Sequence, residues 1–429
     1  MGKHVDCTAA RSDAKEPGLV CPVNFHPRDV LRGPNRKLAD GLVYLAHAII
    51  MRRVQAPRCE IDGFSPLCSI YLRKILGARN WPRVKRAALD VGLVECNERY
   101  VPDERSKGYR LKEPYRGAKW AWRAVEDTRL AKRLENWRAS DRRRVWEMLK
   151  AGRCPVPLES VEHLWDNLQR IRIDDTIDEP LTNETQLAVE LIRRGEWRLD
   201  VDEYGRVHTN VTNLKKTLRR RLSVGGKRLA NCDVANSQPL FLGILFSKEV
   251  QKTSREAQIT KTGGREGEGQ GQGQGRTLCC ALFGNPGNLR EYLAVCERGE
   301  FYRRVGAHLD TDLDYDVLKQ RVLAVLYDKP WHRNKVSQAM EACFPVVMAA
   351  LREMKRDDYR RAAHLAQRTE SDFIIGRCVG RLRREDPDLF ITTIHDAIMT
   401  TAGAERIVRG IMREEFARLG VHPTVRVER

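Results

Sequence analysis

Apolar residues return every three to four positions through the N-terminal half of the chain and condense into short unbroken runs in the C-terminal half. Leu38, Leu42, Leu45 and Ile49 predict a helix over 36–51, and helices over 66–76 and 83–91 follow after turns at Asp62-Gly63 and 77–81. Short strands at 93–95 and 108–111 flank the polar loop 103–107. Three helices and a small hairpin are the element order of winged helix-turn-helix modules, so 36–115 is expected to be a winged-helix-like domain. The first 35 residues, rich in Pro, Gly and charge, are expected to form a flexible tail. Residues 119–150 interleave Trp120, Trp122, Trp137 and Trp146 with Arg and Lys and predict a long charged helix, interrupted near Ala139-Ser140-Asp141. Further helices are expected over 160–171 and 183–193, which makes 116–189 a helical segment. The stretch 253–277, ending GGREGEGQGQGQGRT, cannot build a core and is expected to be a disordered insert.

Two apolar runs stand apart from this helical texture. Residues 229–246 read LANCDVANSQPLFLGILF and residues 390–400 read FITTIHDAIMT. The first predicts a strand ending on Asp233, then a helix with Pro239 in its first turn. The second predicts a hairpin with His395-Asp396 at its bend. A single Asp at such a place is ordinarily a turn former or helix cap. Two, each at the end of an apolar strand, form a candidate pair of hard oxygen ligands for divalent cations of the magnesium type. A helix over 404–419 and a strand over 424–427 close the chain.

Bulk properties narrow the partner. The chain has 429 residues, with 77 Lys and Arg against 58 Asp and Glu, a formal net charge of +19. That excess favours a polyanion, nucleic acid before membrane, because basic groups displace counterions from phosphates. Its 12 cysteines show no CxxC spacing, which argues against a zinc site or a disulfide framework. With no signal-peptide core and no apolar run of membrane-spanning length, a cytoplasmic location is expected.

With these residues in place, 190–429 resembles the polymerase domain of family A DNA polymerases, related to single-subunit phage-type RNA polymerases. Gly205-Arg206-Val207-His208-Thr209 with Thr212-Asn213-Leu214 is similar to the family's minor-groove element, GR-L-S-S followed by P-N-L-Q. Asp233-Val234-Ala235-Asn236-Ser237-Gln238 falls on motif A, D-x-S-Q-I-E. Lys319, Leu323 and Tyr327 keep the K-x3-F-x3-Y spacing of motif B, and Ile394-His395-Asp396 matches motif C, V-H-D. The resemblance implies an α+β right-hand fold: a palm with an antiparallel sheet, helical fingers, and 116–189 as a thumb-like segment.

It also implies roles. Asp233 and Asp396 are the catalytic pair, holding two Mg²⁺ (or Mn²⁺) with the main-chain carbonyl of Val234. Gln238, Lys319, Leu323 and Tyr327 would contact the nucleotide, and Arg206, His208, Asn213, Gln367 and His395 the primer–template. The activity implied is DNA-directed DNA synthesis from nucleoside triphosphates without a proofreading nuclease, with other replication proteins as further partners. Primase or RNA polymerase chemistry on the same fold is one alternative, and a non-catalytic DNA-binding replication protein another. The chain departs from the family pattern at several positions. Tyr315 stands where motif B has Arg, Leu323 replaces its aromatic residue, and Asp328 replaces the Gly after Tyr327. Arg321, Lys329 or Arg333 would then supply the missing charge. Ala397 replaces the second acid of motif C, and Gln238 replaces the Glu that crowds the ribose 2′-hydroxyl.

Overall fold

Helices and antiparallel sheets alternate along the chain in a computed structural model that describes residues 18–55, 62–100, 106–248, 286–309, 313–329 and 334–429. The insert at 253–277, Arg333 and the loop positions 103–105 lie outside the described residues. Two units divide the fold: 1–145 with 176–196 and 213–215, and 146–175 with 197–212 and 216–429.

The first unit is built on the helix Ala39–Gln55, whose Leu42, Leu45, Ile49 and Ile50 are fully enclosed. Their recurrence at three and four positions gives the helix one apolar face, which burial stabilises. Helices Ser69–Leu76 and Asn80–Asp90 pack in the same core. A three-stranded antiparallel sheet joins Ser65–Pro66, Gly108–Leu111 and Val94–Cys96, with Gly108–Leu111 in the middle. Pro66, expected to open a helix, is thus a strand residue.

Three further differences have physical causes. Gly18–Pro22, inside the stretch expected to be loose, is a buried strand paired antiparallel with Trp120–Ala124, Val20 facing Trp122. Trp120–Ala124 is therefore extended, not helical. Its alternation sends Trp120 and Trp122 to one side, where they pack on the core and Arg194 lies 4.1 Å over the Trp122 ring. The helix Thr128–Lys150 runs unbroken through 139–141. Ser140 turns its hydroxyl back onto the Trp137 carbonyl at 2.9 Å, a bond that a helix accommodates.

The second unit is organised around the strand Lys227–Val234. Ala397–Thr401 pairs with it antiparallel, Leu229 facing Thr401 and Asp233 facing Ala397. Val425–Glu428 pairs along its other edge, where Asp233 faces Arg426. Ile391–Ile394 extends the sheet beyond Ala397–Thr401, and Leu222–Val224 and Arg172–Ile173 continue it on the other side. A helix over 237–248 leaves the end of the central strand. Its Phe241 packs 5.7 Å from Phe373 and 6.1 Å from Phe416, and these two stack at 3.9 Å. Aromatic pairs in contact add about 0.5–1.5 kcal/mol each beyond the area they bury. The cluster ties the central strand's helix to the closing helix Glu405–Ala417 and to the wide-turned helical segment Asp372–Val379. Among the described residues no helix is long and apolar enough to cross a membrane.

Candidate active site

Strand register brings the two acids of the sequence together. Asp233 faces Ala397 across the sheet, and Asp396 is the residue just before Ala397. Residues facing each other across an antiparallel pair are about 5 Å apart at Cα. His395 and Asp396 form the two-residue bend between Ile391–Ile394 and Ala397–Thr401. His395 adopts φ 52°, in the left-handed region that costs a non-glycine residue about 1 kcal/mol. Strain of this kind persists where the surroundings fix it, and functional sites collect it. Asn236, at φ 53°, makes the matching bend between the central strand and the helix over 237–248.

The pair is electrostatically frustrated. Burial pushes the Asp233 carboxyl up to about 7, the charges of Asp396 and Glu428 push the same way, and Lys319 and Lys216 oppose them. Two hard oxygen donors that repel each other in a half-buried place are a donor set a divalent cation would relieve. The residues present therefore fit such an ion. Among the described residues no group of three or more His, Cys, Asp and Glu side chains gathers as metal ligands, so the acidic donors would be this pair. Val234 follows Asp233 at the strand's last position, its side chain buried opposite Val425.

Lys319 is exposed on the helix Tyr315–Tyr327, and Leu323 and Tyr327 follow at four-residue steps on the same face. Its charge reaches Asp233. Of the positions that depart from the motif, Tyr315 is exposed and packs edge-on against Tyr302 at 5.5 Å. Asp328 caps the helix C-terminus, where the buried Lys355 donates to the carbonyls of Val325 (2.9 Å) and Asp328 (2.7 Å). Burial lowers Lys355 to about 8, with Asp328 opposing. Arg321 is exposed, and Lys329 lies 5.8 Å over the Tyr359 ring.

A second polar cluster joins residues from four segments. Glu370, on the helix Arg361–Ser371, is 0% exposed. Its Oε1 accepts from Arg206 Nε at 3.0 Å and Nη2 at 2.7 Å, and its Oε2 accepts from Gln238 Nε2. The other end of the Gln238 amide, Oε1, accepts from the Tyr327 hydroxyl. Burial raises Glu370 to about 7, with Arg206 opposing it and Asp396 adding to it; burial likewise raises Tyr327 to about 12. Gly205 makes this closure possible. At φ +87° it occupies a conformation that favours glycine, and a Cβ there would meet Pro155 at 2.9 Å, Val156 at 3.0 Å and Ser371 at 3.2 Å.

Arg206, expected along the duplex, is thus committed to a buried carboxylate. His208 pairs through Nε2 with Asp202 Oδ2 at 3.0 Å, and its ring lies 6.1 Å from that of His395. Burial acts to raise Asp202, but that bond and the backbone N–H groups of Arg206 and Tyr204 bring it below the usual range. Gln367 is half-buried one turn before Glu370. Asn213 falls in the first unit, where its amide donates to the Gln55 carbonyl at 2.8 Å.

Glu370 is the residue sequence reasoning left without a role. A signal existed: Ala363, Ala366, Glu370 and Phe373 fall at three- and four-residue steps, which puts a carboxylate on an apolar face.

No protein-family model matches the chain, and no curated protein matches it. Among solved structures, the chain is similar to the POL domain of Pol1 from M. smegmatis, in complex with DNA primer-template and dNTP. The TM-score is 0.31 at 11% identity, over 66% of this chain and 65% of that one. The chain therefore matches about two thirds of that structure's length, and a likeness this remote assigns no residue.

Proposed function

We propose that the protein is a template-directed nucleotidyltransferase, a DNA-directed DNA polymerase of the family A type. The observation that carries the reading is the convergence of Asp233 and Asp396. A strand register sets one acid beside the other, and their repulsion helps hold Asp233 near a pKa of about 7. The net charge of +19 supports a nucleic-acid partner.

In the proposed reaction the primer 3′-oxygen attacks the α-phosphate of a nucleoside triphosphate. A new P–O bond forms, the bond to the β-phosphate breaks, and pyrophosphate leaves while the hydroxyl proton passes to solvent. Asp233, the Val234 carbonyl and Asp396 would hold the divalent cations, Mg²⁺ or Mn²⁺. Bound there, such ions supply Lewis acidity toward the attacking and leaving oxygens. Lys319 offsets triphosphate charge from the exposed face of its helix. Tyr327 and Gln238 border the nucleotide. His395, fixed at the bend beside Asp396, offers a ring nitrogen to the primer end. In this reading 190–429 supplies palm and fingers, 116–189 a thumb-like segment and 36–115 a winged-helix-like module.

Primer extension on a DNA template tests the proposal. Mg²⁺-dependent incorporation of dNTPs, lost in both Asp233→Ala and Asp396→Ala, is the expected result. Incorporation of NTPs in place of dNTPs would reassign the product to RNA. DNA binding without incorporation in Mg²⁺ or Mn²⁺ would leave a non-catalytic DNA-binding protein.

A further inference from the structure

A carboxylate with no exposure, sharing its face of the helical segment with Ala363, Ala366 and Phe373, needs a reason to be there. Glu370 costs stability unless its oxygens are fully engaged. Its two oxygens are engaged differently. Oε1 takes both N–H groups of the Arg206 guanidinium, and Oε2 takes the Gln238 amide.

That division has a consequence for Gln238. A glutamine carries a donor and an acceptor at the same end, and nothing in its shape says which should point inward. A carboxylate oxygen only accepts. It therefore selects the orientation with Nε2 inward and leaves Oε1 outward, where the Tyr327 hydroxyl donates to it. The reversed amide would set two oxygens against each other at Glu370 and offer Tyr327 an N–H in place of an acceptor. One anion thus orders a chain of three groups, from the helix Arg361–Ser371 through the helix over 237–248 to the end of Tyr315–Tyr327.

We propose that Glu370 is a positioning residue for nucleotide selection: by orienting the Gln238 amide it fixes Tyr327, and with it the space offered to the nucleotide sugar. The inference rests on the function proposed above. Glu370 touches no substrate on this account, and Arg206 serves it as an anchor.

The experiment is steady-state primer extension by the full chain with Mg²⁺, comparing each dNTP with its NTP. Glu370→Gln keeps the shape but removes the acceptor-only oxygen, so the Gln238 amide loses its instruction. The KM for dNTP is expected to rise about tenfold with kcat changed less than about threefold. The ratio of kcat/KM between dNTP and NTP should move about tenfold toward unity. The double variant Gln238→Glu/Glu370→Gln moves the acid one link outward. The amide introduced at position 370 can accept from Arg206 and donate to the new carboxylate, which again accepts from Tyr327. Recovery of the ratio to within about threefold of the starting protein is expected. Tyr327→Phe removes only the last hydroxyl and should shift the ratio in the same direction as Glu370→Gln.

A purely structural Glu370 would lower melting temperature and total activity while leaving the ratio in place. An unchanged ratio in Glu370→Gln, or a folded double variant that fails to recover, overturns the inference and leaves the polymerase reading intact. Failure of the unaltered protein to incorporate any nucleotide overturns both.

Discussion

The second unit holds two polar clusters whose acids are both raised by burial but whose neighbours differ. Around Glu370 both oxygens are hydrogen-bonded, a guanidinium on one and an amide on the other, with a phenol closing the chain. Arg206 opposes the cost of burial, to which Asp396 adds. At Asp233 the balance runs the other way, with Asp396 and Glu428 adding to the cost of burial and only Lys319 and Lys216 relieving it. The satisfied cluster resists rearrangement, as a scaffold should. The frustrated one stores a demand for positive charge that a substrate-linked cation would meet. Removing the acid should therefore have different consequences at the two places.

The largest expected effect belongs to the frustrated pair. Asp233→Asn and Asp396→Asn should each lower primer extension by on the order of a thousandfold. Asp233→Asn should leave the melting temperature unchanged or raise it, since the substitution removes a repulsion. A variant that unfolds instead would place Asp233 among the structural acids.

Glu370→Ala should do the reverse to stability. It strands Arg206, whose side chain is 18% exposed, without its anion. Breaking a buried pair from one side costs about 3–5 kcal/mol, which urea unfolding would read. A loss below about 1 kcal/mol would mean that water reaches the guanidinium freely.

The pH dependence follows from the raised acids. Asp233 and Glu370 titrate near 3.8 and 4.5 as free groups and are each pushed to about 7 in the fold. Between those values the folded chain holds protons that the unfolded chain has released. The stability these two acids contribute is therefore full below pH ~4 and is lost as pH rises through ~7. In metal-free protein the melting temperature should fall over this window, less so in Asp233→Asn. Added Mg²⁺ should raise it more at pH ~8 than at pH ~5, because binding requires the deprotonated pair.

The smallest effect is expected at Lys319. Its ammonium is exposed and acts on Asp233 through solvent, so Lys319→Ala should raise the KM for nucleotide about three- to fivefold and push the Asp233 titration higher. No change in either, by kinetics or NMR titration, would detach this helix from the acidic pair.

Local patterns were legible in the chain, and most long-range commitments were not. The strand Lys227–Val234 and the bend at His395-Asp396 follow from patterns within about a dozen residues, whereas the helix carrying Lys319, Leu323 and Tyr327 was expected from the resemblance to motif B. Gly18–Pro22 looked loose because its partner strand, Trp120–Ala124, lies far along the chain and runs into the densely charged helix Thr128–Lys150. Arg206 looked free to follow a duplex because the acid that holds it is 164 positions away. The need for a glycine at its neighbour Gly205 comes likewise from distant residues, Pro155, Val156 and Ser371, which crowd it.

A cation shared by the two aspartates is what the proposed chemistry depends on most. Mn²⁺ titration followed by electron paramagnetic resonance measures this without reference to turnover. The free-ion signal should be quenched by the unaltered protein and largely restored in Asp233→Asn, in Asp396→Asn and in the double variant. Equal quenching by all four proteins would contradict it.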